Sequence, residues 1–135
     1  MKKILKLLKI IAITVVVIVI VLIGLFLYFA GGMCGNKIHK EYLSPDKSLK
    51  ALVFQRDCGA TTGFSTQISI LDSDENLEND SGNIFVIKGH PDNVALTLSW
   101  ISNNELNIKH NLNGNEYTAK ESLGWFSPIK ITYSD

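Results

Sequence analysis

Apolar and polar positions divide the chain into one unbroken apolar run and a longer part that alternates with a period of two. The run, Ile10–Ala30, contains no charged side chain. At about 1.5 Å per residue, a helix of this length crosses a hydrocarbon core of about 30 Å. We therefore predict a transmembrane helix at residues 10–30, a basic cytoplasmic tail at residues 1–9 and a glycine-rich linker at residues 31–37.

Residues 38–135 predict an all-β domain, because short apolar stretches alternate with turn-forming residues. Val94–Trp100 alternates like a half-buried strand, whereas Leu49–Gln55 is apolar on both faces, as a covered central strand is. Further strands are predicted at Lys40–Leu43, Phe64–Leu71, Ile84–Ile87, Leu106–His110, Tyr117–Ala119 and Ile129–Tyr133. Roughly seven or eight strands with turns about every 8–12 residues indicate a small antiparallel meander, sandwich or barrel.

Turn-forming residues predict how the strands connect. The dipeptide Asn113-Gly114 is typical of a tight β-hairpin and predicts that the strands on either side of it pair. The polar segment Arg56–Gly63 predicts a long loop that closes a hairpin between its two neighbouring strands. Glu116–Gly124 could instead hold a helical turn.

The acidic segment Asp72–Gly82 predicts a solvated and mobile loop. The first three ligand positions of a calcium loop are matched by Asp72, Asp74 and Asn76. Leu77 stands where such a loop requires glycine, and Asn83 stands where it requires glutamate, so calcium binding is disfavoured. The histidines lie far from one another and from the cysteines in sequence, and we predict no metal and no cofactor.

The charges are unevenly distributed along a chain whose net charge is zero. Four of the 13 basic residues precede the apolar run, so the remainder carries nine basic against 13 acidic residues. Basic residues flank the cytoplasmic end of a membrane helix, which predicts a single-pass protein of the cytoplasmic membrane with its C-terminal domain outside. The predicted partners are the lipid bilayer, through residues 10–30, and an envelope protein. A mildly acidic domain argues against nucleic acid.

Two other fates of the N-terminal segment remain open. A cleaved signal peptide would use the small residues Ala30-Gly31-Gly32, although its apolar core is usually shorter, about 7–15 residues. A lipid-modified Cys34 would require a small residue before the cysteine, where Met33 stands. Each alternative also places the domain outside the cytoplasm.

Two stretches resemble parts of a known repeat. Ser44-Pro45-Asp46, followed by Leu49 and Ala51, is similar to the turn and strand of Tol-B-type propeller repeats, and the stretch Trp100–Ile108 resembles a later hairpin of the same repeat. A propeller takes about four to eight four-stranded blades, so this chain is too short to close one. The resemblance implies a blade-like antiparallel meander.

A second resemblance covers nearly all of residues 34–135. The shared pattern consists of Cys34-Gly35-Asn36, Ser44-Pro45-Asp46, the run Arg56–Thr66 and Gly82-Asn83-Ile84-Phe85. As a set it resembles a family of small bacterial membrane-attached proteins of unknown function. This resemblance implies one exported domain and no particular activity.

Cys34 and Cys58 are the only two cysteines, and both follow the apolar run. In an oxidising compartment two thiols of one small domain usually pair, which predicts a disulfide. The bridge would close a loop of about 25 residues and stabilise the domain by about 3 kcal/mol in the chain-entropy model. The alternative is two unrelated thiols.

The segment Arg56–Gly63 is the candidate binding loop. Its candidate binding residues are Arg56, Asp57, Gly59, Thr61, Thr62 and Gly63. The two glycines could expose backbone N–H groups to an anion, and binding residues favour loops on rigid scaffolds. The alternatives are a structural turn and a nucleophilic Cys58 assisted by Asp57 and by one of His39, His90 or His110.

We expect a membrane-tethered extracytoplasmic binding or interaction module, with no catalytic residues. A protective or immunity-type envelope protein and an enzyme that uses Arg56–Gly63 are the alternatives. The aromatic pair Trp125-Phe126, beside Gly124 and Pro128, could form an exposed tip, although such residues more often belong to a sheet core.

Overall fold

The computed structural model describes residues 1–31, 34–59 and 61–135. Gly32 and Met33 of the predicted linker and Ala60 of the candidate binding loop lie outside the described residues. The chain divides into two compact units, an N-terminal helix and a β domain that begins at Cys34.

The N-terminal unit is the helix α1 (Lys2–Gly31). It is long and apolar enough to cross a membrane, and none of its most apolar window is buried. The helix begins well before the predicted Ile10, because residues 2–9 alternate lysine with leucine and isoleucine, which are adequate helix formers. The basic residues are therefore part of the helix.

The domain contains nine strands and one short helix within its described residues. In chain order they are β1 (Gly35–Leu43), β2 (Leu49–Asp57), β3 (Phe64–Asp72), β4 (Phe85–Lys88), α2 (Pro91–Val94), β5 (Thr97–Ser102), β6 (Glu105–Lys109), β7 (Glu116–Ala119), β8 (Ser122–Leu123) and β9 (Ile129–Ser134). The prediction of a β-rich domain after an apolar helix is confirmed. β1 begins inside the predicted linker, at Gly35.

The strands form two sheets. The first sheet has the order β1-β2-β3-β4-β7, in which the first four strands are the predicted antiparallel meander. The second sheet has the order β5-β6-β9-β8. Within it β6 and β9 run parallel, with Leu106 opposite Ile131, so the expectation of a wholly antiparallel domain is wrong. The return of the chain through β7 and β8 allows β9 to run in the direction of β6.

Three local predictions are corrected. Asn113-Gly114 does not close a hairpin between its neighbouring strands, because β6 lies in the second sheet and β7 pairs with β4 in the first. Val94 belongs to α2 and not to the following strand, since the imidazole of His90 accepts a hydrogen bond from Asp92 N and caps this helix. Residues 116–124 hold β7 and β8 and no helical turn.

Apolar residues from both sheets form one core. Its buried members include Val53 and Ile68 of the first sheet and Leu98, Ile108 and Ile131 of the second. Each fully buried side chain of this size contributes about 1.5–3 kcal/mol. The apolar residues that alternate with a period of two in the sequence thus fill the space between the two sheets.

The opposite face of the first sheet is buried as well. Leu52 and Phe54 of β2 are no more than 1% exposed, although their neighbours in the strand supply the core between the sheets. Gln67 and Ser69 on β3 accept hydrogen bonds from the backbone of the segment Ser73–Asn83. This segment, which the sequence predicted to be a mobile loop, therefore lies across the sheet and explains why β2 is apolar on both faces.

The domain has two distinguishable ends. Cys34 and Cys58 lie at one end of the pair β1 and β2, which we call the near end. The turn Ser44–Ser48 lies at the other, which we call the far end. Nine residues of β1 separate the two ends, which corresponds to about 30 Å of strand.

Candidate functional site

Cys34 and Cys58 form a disulfide at a sequence separation of 24. Gly35 pairs with Asp57 in the register of β1 and β2, so the two cysteines occupy the next facing positions at the near end. The predicted bridge is confirmed. The Cys58 sulfur is bonded in this state and is not a free thiol for the nucleophilic role that we considered.

Arg56 belongs to β2 rather than to the predicted loop, and its guanidinium contacts the segment Ser73–Asn83. Its Nη1 donates to Asn36 Oδ1 at 2.8 Å, to Asn79 Oδ1 at 3.2 Å and to the carbonyl oxygen of Asp80 at 3.1 Å. The side chain that seemed most suited to an anionic ligand therefore binds the protein's own polar groups.

Most of the remaining candidate binding residues form an exposed turn that follows Asp57, the last residue of β2. Asp57 Oδ1 accepts a hydrogen bond from Gly59 N at 2.9 Å, and Thr62 Oγ1 donates to the carbonyl oxygen of Gly59 at 3.2 Å. Gly59 and Gly63 have φ values of 103° and 67°, which favour glycine. Thr61 is exposed beside them. These bonds account for Asp57 and Thr62 by local structure.

Two histidines that are distant in sequence meet at Asp92. His39 Nε2 lies 3.6 Å from Asp92 Oδ1, and His90 Nδ1 lies 3.3 Å from Asp92 Oδ2. His39 occupies a bulge in β1, where the register shifts between Ile38 and Lys40, and bulges redirect side chains. Nothing in the local sequence marks this bulge.

Two cavities adjoin this cluster of His39, His90 and Asp92, with volumes of about 280 and 240 Å³. His90 Nδ1 accepts a hydrogen bond from the backbone N–H of Asp92 at 3.2 Å. Among residues 1–31, 34–59 and 61–135 there is no group of three or more His, Cys, Asp or Glu arranged to hold a metal ion. The cluster is best described as a capped helix start beside a strand bulge.

A second contact between a histidine and a carboxylate is more deeply buried. His110 Nε2 lies 2.7 Å from Glu116 Oε1, and the two side chains are 15% and 6% exposed. Burial acts to raise the pKa of Glu116, but hydrogen bonds from His110 and from the backbone N–H groups of Glu116, Asn113 and Gly114 outweigh it and leave that pKa lowered. The carboxylate thus organises the Asn113-Gly114 turn. This contact explains why Asn113-Gly114 forms a turn although the turn closes no hairpin.

A cavity of about 250 Å³ lies under the segment Ser73–Asn83. Its lining combines acidic side chains, including Glu75, Glu78 and Asp80, with Leu71 and Leu77. Asn36 Nδ2 donates to the carbonyl oxygens of Glu78 and Asp80 at 2.9 and 2.7 Å. The segment is therefore held by amide and guanidinium donors of the sheet.

Trp125 and Phe126 lie in the loop between β8 and β9 and project into solvent. Their exposures are 96% and 103%, so neither ring packs on the described part of the domain. Gly124, with a φ of 98°, and Pro128 bracket them. The sequence suggested this tip only as a minor alternative to a core position, because pattern alone does not separate the two.

Pairing places this aromatic tip, Gly124–Pro128, at the far end. The β8–β9 pair closes at Leu123 opposite Ile129, and Lys130 lies opposite Glu105, the first residue of β6. The turn before Glu105 is tied to the Ser44–Ser48 turn, because Asn103 Oδ1 accepts a hydrogen bond from Asp46 N at 3.1 Å. The tip and these two turns therefore share one end of the domain.

The tip and Cys34 also lie in different sheets and at opposite edges of the domain. Cys34 adjoins β1, an edge strand of the first sheet, and Trp100 Nε1 on β5 donates to the carbonyl oxygen of Tyr42 on β1, so β5 lies on that side. The tip joins β8 and β9, at the other edge of the second sheet. Within the domain, the tip and the point where the chain enters are at opposite corners.

The chain matches no protein-family model, no curated protein and no solved structure at a significant level. The resemblances described from the sequence therefore stay predictions, and the functional argument rests on the chain's own geometry.

Proposed function

We propose that this protein is a single-pass protein of the cytoplasmic membrane whose extracytoplasmic β domain binds another molecule through the aromatic tip. The observation that carries the proposal is the near-complete exposure of Trp125 and Phe126 at the corner opposite Cys34. Tryptophan is the residue type most often found at binding hot spots, and exposing two large rings side by side without a partner is unfavourable in water.

The membrane attachment is supported by α1. Its side chains between Ile10 and Phe29 carry no charge and are exposed, which suits a lipid environment, and its lysines precede this stretch. The Cys34–Cys58 bond supports a compartment outside the cytoplasm, because disulfides persist in oxidising surroundings.

The candidate binding loop Arg56–Gly63 is less suited to the binding role than the aromatic tip. Arg56, Asp57 and Thr62 are engaged in hydrogen bonds within the domain. Trp125 and Phe126, in contrast, offer large surfaces that the described part of the fold does not use. We therefore assign the binding role to the tip and a structural role to Arg56.

The proposal is tested by photocrosslinking in the cells that produce the protein. A photoreactive amino acid at Ser127, within the tip, is expected to form adducts, and the same group at exposed Asn115 is expected to form none. Changing Trp125 and Phe126 together to serine should remove the Ser127 adducts while the folded domain persists. Equal labelling at both positions, or no adduct at either, would overturn the binding role. A reporter fused after Asp135 separately tests which side of the membrane the domain occupies.

A further inference from the structure

The chemistry of the aromatic tip indicates what kind of surface it contacts. Eight consecutive residues, Ser122–Ile129, carry no charge. The first charged residues on either side are Glu121 and Lys130, and the Lys130 ammonium is paired with Glu105 at 3.1 Å. The tip can therefore enter an apolar phase without desolvating a charged group, which is the costly step in such transfers.

We propose, on the basis of the function proposed above, that the tip inserts into the interfacial region of a lipid bilayer that approaches the far end of the domain. Tryptophan favours the boundary between hydrocarbon and water, because its ring is apolar and its N–H is polar. Phe126 adds apolar area beside it. Gly124 and Pro128 limit the inserted segment to a short loop.

A bilayer fits the tip better than a shaped protein pocket does. Protein hot spots are held in place by packing, which limits the entropy lost on binding. Trp125 and Phe126 have exposures of 96% and 103%, so no packing against the described part of the domain holds their rings in place. A fluid lipid interface accepts several ring orientations, so the rings do not need to be held in place before they bind.

A second copy of the chain is also a poor occupant. Each aromatic ring buries about 150–250 Å² at most, so a contact between two tips would bury about 600–1,000 Å² in total. Stable interfaces bury about 1,200–2,000 Å². The rings alone are too small for a stable contact between copies.

The position of the tip separates this surface from one that approaches Cys34. Cys34 and the tip lie at opposite ends, opposite edges and in different layers of the domain, with about 30 Å of strand between the two ends. A flat surface that approaches Cys34 closely is therefore remote from the tip.

Tryptophan fluorescence tests the proposal with the full chain in proteoliposomes of phosphatidylcholine and phosphatidylglycerol, with the domain outside. Trp100 is the only other tryptophan, so Trp100→Phe leaves Trp125 as the sole reporter. Brominated lipid, which quenches inserted tryptophan, is placed either in the host vesicles or in added acceptor vesicles. We expect quenching by the acceptor vesicles, and clustering of the two populations that does not weaken as salt is raised.

Matched variants identify the rings as the cause. Phe126→Ala should weaken acceptor binding about tenfold or more, and replacing both rings with serine should abolish clustering. Tyr117→Ser removes an exposed aromatic ring of β7 and should leave clustering unchanged. Circular dichroism checks that each variant is folded.

Three results would overturn the lipid assignment. These are quenching only from the host vesicles, no quenching from either population, and clustering that requires protein in both populations. If acceptor vesicles fail while photocrosslinking at Ser127 in cells still gives adducts, the tip binds another class of molecule and the binding role stands. If both assays fail, the binding role fails with the lipid assignment.

Discussion

Arg56 and Asn36 face each other across β2 and β1, and Arg56 Nη1 donates to Asn36 Oδ1 at 2.8 Å. Both side chains also donate to the carbonyl oxygen of Asp80, at 3.1 and 2.7 Å. This pair therefore fastens the segment Ser73–Asn83 to the first sheet beside the disulfide. Arg56 is a structural residue whose partners lie 20 or more positions away in the chain.

Arg56→Ala is expected to release the segment Ser73–Asn83 without unfolding the domain. Hydrogen bonds to charged groups contribute about 1.5–3 kcal/mol, so we expect a loss of that order in urea unfolding. Amide hydrogen exchange should accelerate at Glu78–Asp80. Lys109→Ala, at an exposed cation of β6, is the matched control. Unchanged exchange in the segment would contradict the structural role of Arg56.

Cys34→Ser and Cys58→Ser should have the same effect as each other and as the double variant. Each removes the same bridge, which closes a loop of about 25 residues and contributes about 3 kcal/mol in the chain-entropy model. Denaturant unfolding under non-reducing conditions measures the loss. If the two single variants differed by more than about 1 kcal/mol, a separate role for one thiol would be indicated.

The strands β2, β3 and β4 of the first sheet were predictable because each alternates or forms a short apolar run between turns. The disulfide was predictable from the expected compartment. The second sheet was harder to predict, since Asn113-Gly114 is a local hairpin signal that the contact between His110 and Glu116 overrides. Local sequence does not reveal that β6 and β7 belong to different sheets.

The candidate site shows the same limit. The sequence marked Arg56–Gly63 as chemically distinctive, and the structure accounts for Asp57 and Thr62 by turn bonds and for Arg56 by contacts with a distant segment. The bulge at His39 and the exposure of Trp125 depend on pairing between remote strands. Such pairing is set by the packing of whole sheets and leaves no short-range pattern.

Gly82 is predicted to be intolerant of a side chain. A Cβ at this position would lie 2.8 Å from the carbonyl oxygen of Phe85 and 2.9 Å from that of Ile68, which are backbone atoms that cannot move aside. Gly82→Ala should therefore cost about 1–3 kcal/mol in thermal or urea unfolding. Gly35→Ala is the control, since a Cβ there meets nothing within 4 Å and should change stability by less than about 0.5 kcal/mol. Equal effects of the two substitutions would show that the close approach at Gly82 is not the cause.

The lowered pKa of Glu116 predicts how the domain responds to acid. Burial opposes the charged form, but His110 and three backbone N–H groups stabilise it, so the folded-state pKa lies below the ordinary value of 4.5. A carboxyl whose pKa is lowered by folding adds stability above its unfolded pKa, and that contribution disappears as the pH falls through the folded pKa. Glu116→Gln should be less stable than the parent at neutral pH, with a difference that shrinks steadily below about pH 4.5.

Urea unfolding between pH 7 and pH 3 measures this difference, and the comparison with the parent cancels the titration of the other carboxyls. Glu41→Gln, at an exposed glutamate of β1, is the control and should give a difference that changes little with pH. A Glu116→Gln difference that stayed constant, or that grew as the pH fell, would mean that the pair with His110 does not favour the charged carboxylate. In that case the turn at Asn113-Gly114 would be held by contacts that do not depend on charge.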